Sequence, residues 1–175
     1  QQLQKEAKMD SRSAAAATKL AIAECLRFGV TSVSDLYYYP NATAEAVAEA
    51  CIKANLALSS YRFIDQNEDF DFETDEQCQE LCRVVDKWHG HDGGRIRIDA
   101  GIYAEYTSNH KLWEALSDYA AEKELGMQLH LAQTREEADS CMDRTGLGPA
   151  ELLNCHRLFR VPTAAAGCAC LEETE

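Results

Sequence analysis

Gly126-Met127-Gln128-Leu129-His130-Leu131-Ala132-Gln133-Thr134 reads as a short apolar strand that ends by presenting one histidine and, three residues later, one glutamine. Before it, Asn109 to Lys123 has the apolar spacing of a helix, and after it Thr134 to Thr145 does too. A strand held between two helices is the unit from which parallel sheets are built.

The unit repeats toward both ends of the chain. Ser13 to Phe28 is a helix stopped by Gly29, and Val30 to Tyr38, β-branched and aromatic, is a strand ended by Pro40. Alternation along that strand sets Tyr38 on the face opposite Tyr37 and Tyr39. Thr43 to Ala54 is a helix with Thr43 as candidate cap and Asn55 as stop, followed by the strand Leu56 to Ile64. The acidic loop Asp65 to Asp71 leads into a helix over Thr74 to Trp88, where Thr74-Asp75-Glu76-Gln77 resembles a capping box. His89 to Gly94 is a turn-rich break before the strand Arg95 to Tyr103. Gly146-Leu147-Gly148-Pro149 separates the late helix from a short one over Ala150 to Arg157, and Pro162 to Leu171 is a final strand of small residues.

Five strands, each preceded by a helix, imply right-handed crossovers and a parallel sheet, hence the α/β class. At 175 residues the chain is expected to be one domain, residues 1–175. It is short for a closed eight-unit barrel of about 250 residues, so the sheet is either open or a segment of something larger. In such barrels the chemistry sits at the C-terminal strand ends, where His130 is placed.

With 30 acidic and 17 basic residues the formal charge is −13, which works against binding of nucleic acid or an anionic membrane. No stretch approaches the roughly 18 apolar residues of a spanning helix, and Gln1 to Arg12 is polar where a signal peptide is apolar. A soluble, cytoplasmic protein is expected. Its eight cysteines are then reduced, buried thiols; Cys168 and Cys170 are expected to share a strand face.

Four segments in order, Ala23-Glu24-Cys25-Leu26-Arg27-Phe28-Gly29-Val30-Thr31-Ser32-Val33-Ser34-Asp35, Gly101-Ile102-Tyr103-Ala104-Glu105-Tyr106-Thr107-Ser108, His130-Leu131-Ala132-Gln133-Thr134 and Ala164-Ala165-Ala166-Gly167-Cys168-Ala169-Cys170-Leu171, resemble the amidohydrolase superfamily. Within it the likeness is to metal-dependent deaminases and chlorohydrolases, including those acting on methylthioadenosine and S-adenosylhomocysteine. The resemblance implies strands two to six of a TIM-like (β/α)8 hydrolase barrel. It also implies a divalent metal, zinc or iron, held in the family by a His-x-His pair on the first strand, a histidine on the fifth and an aspartate on the eighth. The family reaction is attack of metal-bound hydroxide on a ring carbon, expelling ammonia or chloride.

His130 matches the fifth-strand ligand, and the other alignable positions depart from the pattern. Gln133 stands where the family has its proton-shuttling glutamate, and an amide is neither acid nor base near neutral pH. Gly167 stands in place of the sixth-strand histidine, and Tyr103 in place of a substrate-facing one. His89-Gly90-His91 has ligand spacing but falls on the rim opposite the strand ends, where a solvated loop is expected. Asp35, Glu105 and Tyr106 are candidate substrate-binding residues on the catalytic rim; His130 is either a ligand or a strand-end histidine bonded to backbone. Gln133 is expected to cap the following helix, and Trp88 and Trp113 to be core.

Two functions follow as expectations. One is a hydrolase fragment related to purine-type deaminases, catalytically impaired and without a stoichiometric metal of its own. The other is a non-catalytic pseudoenzyme that keeps the scaffold and self-associates through open sheet edges, with a small-molecule ligand still accommodated.

Overall fold

The computed structural model describes residues 9–62 and 70–172. Asp10 caps α1 (Ser11–Arg27) by accepting from Ser13 N at 2.7 Å, and the chain turns into β1 (Ser32–Tyr37) through Gly29 at φ +79°. Helix α2 (Pro40–Ala50) starts and ends earlier than its sequence suggests. Proline lacks the N–H that a first turn leaves unpaired and has φ preset, so Pro40 opens the helix. Cys51, left-handed at φ 58°, closes it, and Asn55 lies inside β2 (Lys53–Leu58) rather than stopping a helix. Of the strand expected over Leu56 to Ile64 and the acidic loop after it, residues 63–69 lie outside the described ones.

Asp75, not Thr74, caps α3 (Glu76–Trp88), taking Gln77 N and Cys78 N at 3.0 Å each, while the Thr74 hydroxyl turns back to Asp71. A turn over 89–94 leads to β3 (Ile96–Gly101), with His89 Nδ1 2.9 Å from the Ile98 carbonyl. His89 and His91 therefore sit at the N-terminal end of the sheet. Next come α4 (His110–Glu122), capped by Asn109, then β4 (Met127–Leu131), α5 (Arg135–Thr145), α6 (Pro149–Cys155) and β5 (Thr163–Gly167). The last strand is shorter than Pro162 to Leu171 because Gly167 and Cys168 take φ of +94° and 56°, so Cys168 and Cys170 follow the strand instead of sharing a face of it. All eight thiols are unpaired, but only Cys78 and Cys141 are buried; Cys51 and Cys155 are exposed, and Cys25, Cys82, Cys168 and Cys170 are half-buried.

The strands are all parallel in the order β1-β2-β3-β4-β5. Each unit is laid beside the one before it, without the reversal of a doubly wound sheet, and the five strands form a curled half-barrel with helices on the convex side. The convex face is apolar: Leu56, Ile96, Ile98, Met127 and Leu129 pack with Leu81, Val84, Leu112 and Leu116 of the helices. Trp88 and Trp113 join this core, each with its indole N–H satisfied, on Asn41 Oδ1 at 2.8 Å and Ser108 Oγ at 2.7 Å. Among the described residues no helix is long and apolar enough to cross a membrane.

On the concave side the strands come close together at Gly101. A methyl group there would lie 2.7 Å from Leu36 Cδ1, 3.0 Å from the Leu58 carbonyl and 3.1 Å from that of Gln128. Two of these neighbours are backbone and cannot swing away. Gly101→Ala is expected to destabilise the fold by about 1–3 kcal/mol, read as a lowered urea midpoint at unchanged slope.

Candidate active site

Residues of β1, β4 and β5 line a concave cleft of 430 Å³: Ser34, Asp35, Leu36, Gln128, Leu129, His130 and Ala164 to Ala166. Register aligns Ser34 with Asn55, Gly101 with Gln128, and His130 with Ala166, so these side chains share the concave face. The floor is a polar chain. Ser34 Oγ donates to Gln128 Oε1 at 2.9 Å, and Gln128 Nε2 donates to Asp99 Oδ2 at 3.2 Å. Asp99 also accepts from Asn55 Nδ2 at 2.6 Å and from Gly126 N at 2.9 Å. None of these four side chains was a site candidate from sequence. The available signal was polarity at inward positions of otherwise apolar strands, as in Met127-Gln128-Leu129 and Ile98-Asp99-Ala100.

His130 stands above this floor at the C-terminal end of β4. Its backbone N–H donates to the Tyr103 carbonyl at 2.9 Å, and its ring Nδ1 lies 3.3 Å from the same oxygen. A carbonyl only accepts, so Nδ1 carries the proton and Nε2 is the lone-pair nitrogen of the neutral ring. Tyr103 packs over the imidazole with centroids 5.1 Å apart, and Tyr106 meets Tyr103 edge-on at 6.3 Å. Burial beside Tyr103 pushes the Tyr106 phenol up to about 12, so it stays neutral.

The candidate carboxylates are placed otherwise. Glu105 is 1% exposed and is held by Arg144 Nη2 at 2.8 and 2.9 Å, a pair that ties the turn after β3 to the last turn of α5. Its carboxyl sits above its ordinary range because burial outweighs the arginine. Asp35 contributes to the cleft wall, yet it lies between Ser34 and Leu36, and alternation turns its Cβ to the convex face. Burial raises its pKa, and no partner offsets this among the described residues. Gln133 is exposed and does not cap α5: Thr134 accepts from Glu137 N at 3.2 Å, and Glu137 returns to accept from Gln133 N at 2.9 Å.

Gly167 lies against Gln133. With φ at +94°, a Cβ on it would stand 3.1 Å from Gln133 Cβ and from the Leu131 carbonyl. The backbone folds back there, with Cys168 N donating to Leu131 O at 2.7 Å and Cys170 N to Ala132 O at 3.0 Å. The structure thus brings His130, Tyr103 and Tyr106 together, sets Gln133 and Gly167 side by side, and keeps Glu105 out of the cleft. Among the described residues no three His, Cys, Asp or Glu side chains converge to hold a metal ion. A hydrolytic metal needs about three protein ligands and an open position, and the single imidazole of His130 does not fit that requirement.

Residues 1–175 match the family model of the amidohydrolases. A 5-methylthioadenosine/S-adenosylhomocysteine deaminase of Dictyoglomus thermophilum is 32% identical over 97% of this chain and 38% of its own length. A 5'-deoxyadenosine deaminase of Methanoregula boonei is 33% identical over 86% of this chain and 33% of its own. A crystal structure of an adenosine deaminase from Xanthomonas campestris with bound zinc superimposes with a TM-score of 0.84 at 23% identity, over 96% of this chain and 37% of that one. The chain spans less than two fifths of the length of these relatives.

Removing the cation from Glu105 leaves a buried carboxylate unpaired. Arg144→Met is expected to cost about 1–3 kcal/mol at neutral pH, less than for a fully enclosed pair because Arg144 is 34% exposed. The deficit shrinks on acidification, since a neutral Glu105 needs no cation; chemical denaturation at several pH values measures it. For Asp35 the folded-state pKa lies above the unfolded one, so the carboxylate costs stability above both and costs nothing below both. Asp35→Asn is therefore expected to raise Tm near pH 7, with the gain vanishing as pH falls below the unfolded carboxylate range of about 4.

Proposed function

The chain belongs to the amidohydrolase family, and from that footing we propose that it forms five consecutive units of a barrel that takes an amino-substituted purine-type ligand at its strand ends, without being a competent catalyst on its own residues. It is related to deaminases of adenosine-type compounds. Loss of ammonia from such a ring requires a proton to reach the departing amine, and a group that alternately gives and takes protons near neutral pH. The observation that carries the reading is the pairing of Gln133 with Gly167 beside His130. The first of these is an amide, and the second offers no side chain. Among the described residues the donor set does not fit a resident divalent ion, so no step is assigned to one.

What the chain's own groups supply is binding and orientation. His130 presents Nε2 as an acceptor, fixed by the Tyr103 carbonyl, and Gln128 with Ser34 offers a polar floor. Zinc belongs to the family through the Xanthomonas campestris structure; for this chain the expectation is substoichiometric metal. A second reading is a non-catalytic scaffold that self-associates by pairing along β1 or β5, which among the described residues each pair with a strand on one side.

Elemental analysis of the purified chain together with a deaminase assay on methylthioadenosine tests the proposal. The expected result is zinc and iron well below one per chain and no ammonia release; stoichiometric metal with turnover overturns it. Sedimentation velocity on the same sample separates the two readings, because a monomer at all concentrations removes the self-associating scaffold.

A further inference from the structure

Of the seven large apolar side chains that stand exposed among the described residues, four fall in one short stretch: Leu20, Leu26, Phe28 and Val30. Phe28 is 78% exposed and Leu20 66%. They belong to α1 and to the turn that leads from it into β1. A cluster of this kind marks an interaction surface more often than scattered single residues do. α1 buries only Ala14 and Ile22, and it rests on α2. The next two helices each bed on the strand they precede, α2 on β2 and α3 on β3. In a right-handed parallel sheet such a helix spans the crevice between that strand and the one before it. For α1 the crevice lies on the far side of β1, where no strand pairs among the described residues. That open edge is Ser32–Tyr37. The alternation expected for Tyr37 to Tyr39 is not realised, because the strand ends at Tyr37 and Tyr39 serves as N-cap of α2.

The opposite edge has the reverse deficit. No helix follows β5 among the described residues, and its Ala164, Ala165, Ala166 and Gly167 are all exposed. Ala165 is in register with Leu129, so both turn to the convex side; Leu129 is buried under the helices and Ala165 is open. One edge therefore has a helix with no strand to lie on, and the other a strand with no helix to cover it. Because all strands are parallel, β5 of one copy set beside β1 of another continues the sheet in the same sense and brings α1 over Ala165.

Charge selects the same pairing. On α5, the helix beside β5, Arg135 and Arg144 are committed to Glu172 and Glu105. The exposed Glu136, Asp139 and Asp143 are left without a cation among the described residues, around the exposed Met142. α1 exposes Arg12, Lys19 and Arg27 against one acid, Glu24, and of the three cations only Lys19 is in an ion pair, with Glu49. A basic helix on one edge and an acidic helix on the other, in a chain of net charge −13, fit a second copy of the same chain.

We propose that two copies associate head to tail, β1 of one beside β5 of the other, with α1 and Phe28 covering the bare convex face at Ala165 and the basic residues of α1 facing the acids of α5. The contact is heterologous, so each copy offers two different surfaces. This rests on the self-associating reading under Proposed function and names the surfaces that reading would use.

The test is sedimentation velocity on the whole chain and two variants, over a wide range of concentration, with folding checked by circular dichroism and thermal melting. The unchanged chain is expected to associate. Leu20→Glu with Phe28→Glu spoils the α1 surface, and Ala165→Arg spoils the β5 surface; both sets are at exposed positions, and each is expected to raise the dissociation constant about tenfold or more. Mixed together, the two variants form a one-to-one complex, because each retains the surface that the other has lost. Arg27→Glu, a milder change at the same helix, weakens association in the same direction. A monomer at all concentrations overturns the contact together with the self-associating reading. Association that neither variant set disturbs, or two weakened variants that do not rescue one another, overturns the head-to-tail contact while leaving self-association standing.

Discussion

The carboxylate of Asp99, buried on the concave side of the sheet, accepts hydrogen bonds from Gly126 N, Asn55 Nδ2 and Gln128 Nε2, and through Gln128 it reaches Ser34. The half-barrel depends on it because the backbone ladder is thinnest there. β1 and β2 share six register pairs and β4 and β5 share five, but β3 and β4 share only two, Ala100 with Met127 and Gly101 with Gln128. A splayed junction of this kind leaves backbone groups to be satisfied by side chains. Asp99 does so for Gly126, and hydrogen bonds to a charged group are each worth roughly 1.5–3 kcal/mol where loss strands a buried partner. One residue thus links β2, β3 and β4 and fixes the floor on which the cleft rests.

The rim is organised by a second buried charge. Glu105 follows β3 and Arg144 ends α5, so their ion pair closes the loop that begins at Tyr103, passes through His130 and returns along the helix. Within that loop the His130 imidazole is held by one carbonyl and one ring, both from Tyr103. The residues around His130 are therefore not loose ends. Tyr103 is packed into the support of His130, Gln133 has its backbone tied to the capping carboxylate of Glu137, and Gly167 permits a tight fold-back that a side chain would obstruct.

Much of the architecture was legible from period and punctuation. Five helix and strand units, the parallel arrangement and the burial of Trp88 and Trp113 follow from apolar spacing, which is a local property. Boundaries failed where capping chemistry competes. Pro40 reads as a strand terminator and acts as a helix opener, and Thr74 has the look of a cap while Asp75, one residue later, binds the amides. For the site, His130 was legible because it ends an apolar strand. What Glu105 and Asp35 face was not, because a carboxylate near a strand end looks the same in sequence whether it faces ligand, arginine or helix.

By itself the sequence determined which segments are helix and strand, which face of each is apolar, and the family to which the chain belongs, since hydrophobic period and motif order are written along one dimension. Only the tertiary structure decided which polar groups meet. Ser34 and Gln128 are 94 residues apart and touch only because the strands carrying them, three places apart in the sheet, curl toward each other around the concave face. The identity of a buried charge's partner depends on register and curvature between distant strands, and neither is encoded in the neighbourhood of either residue.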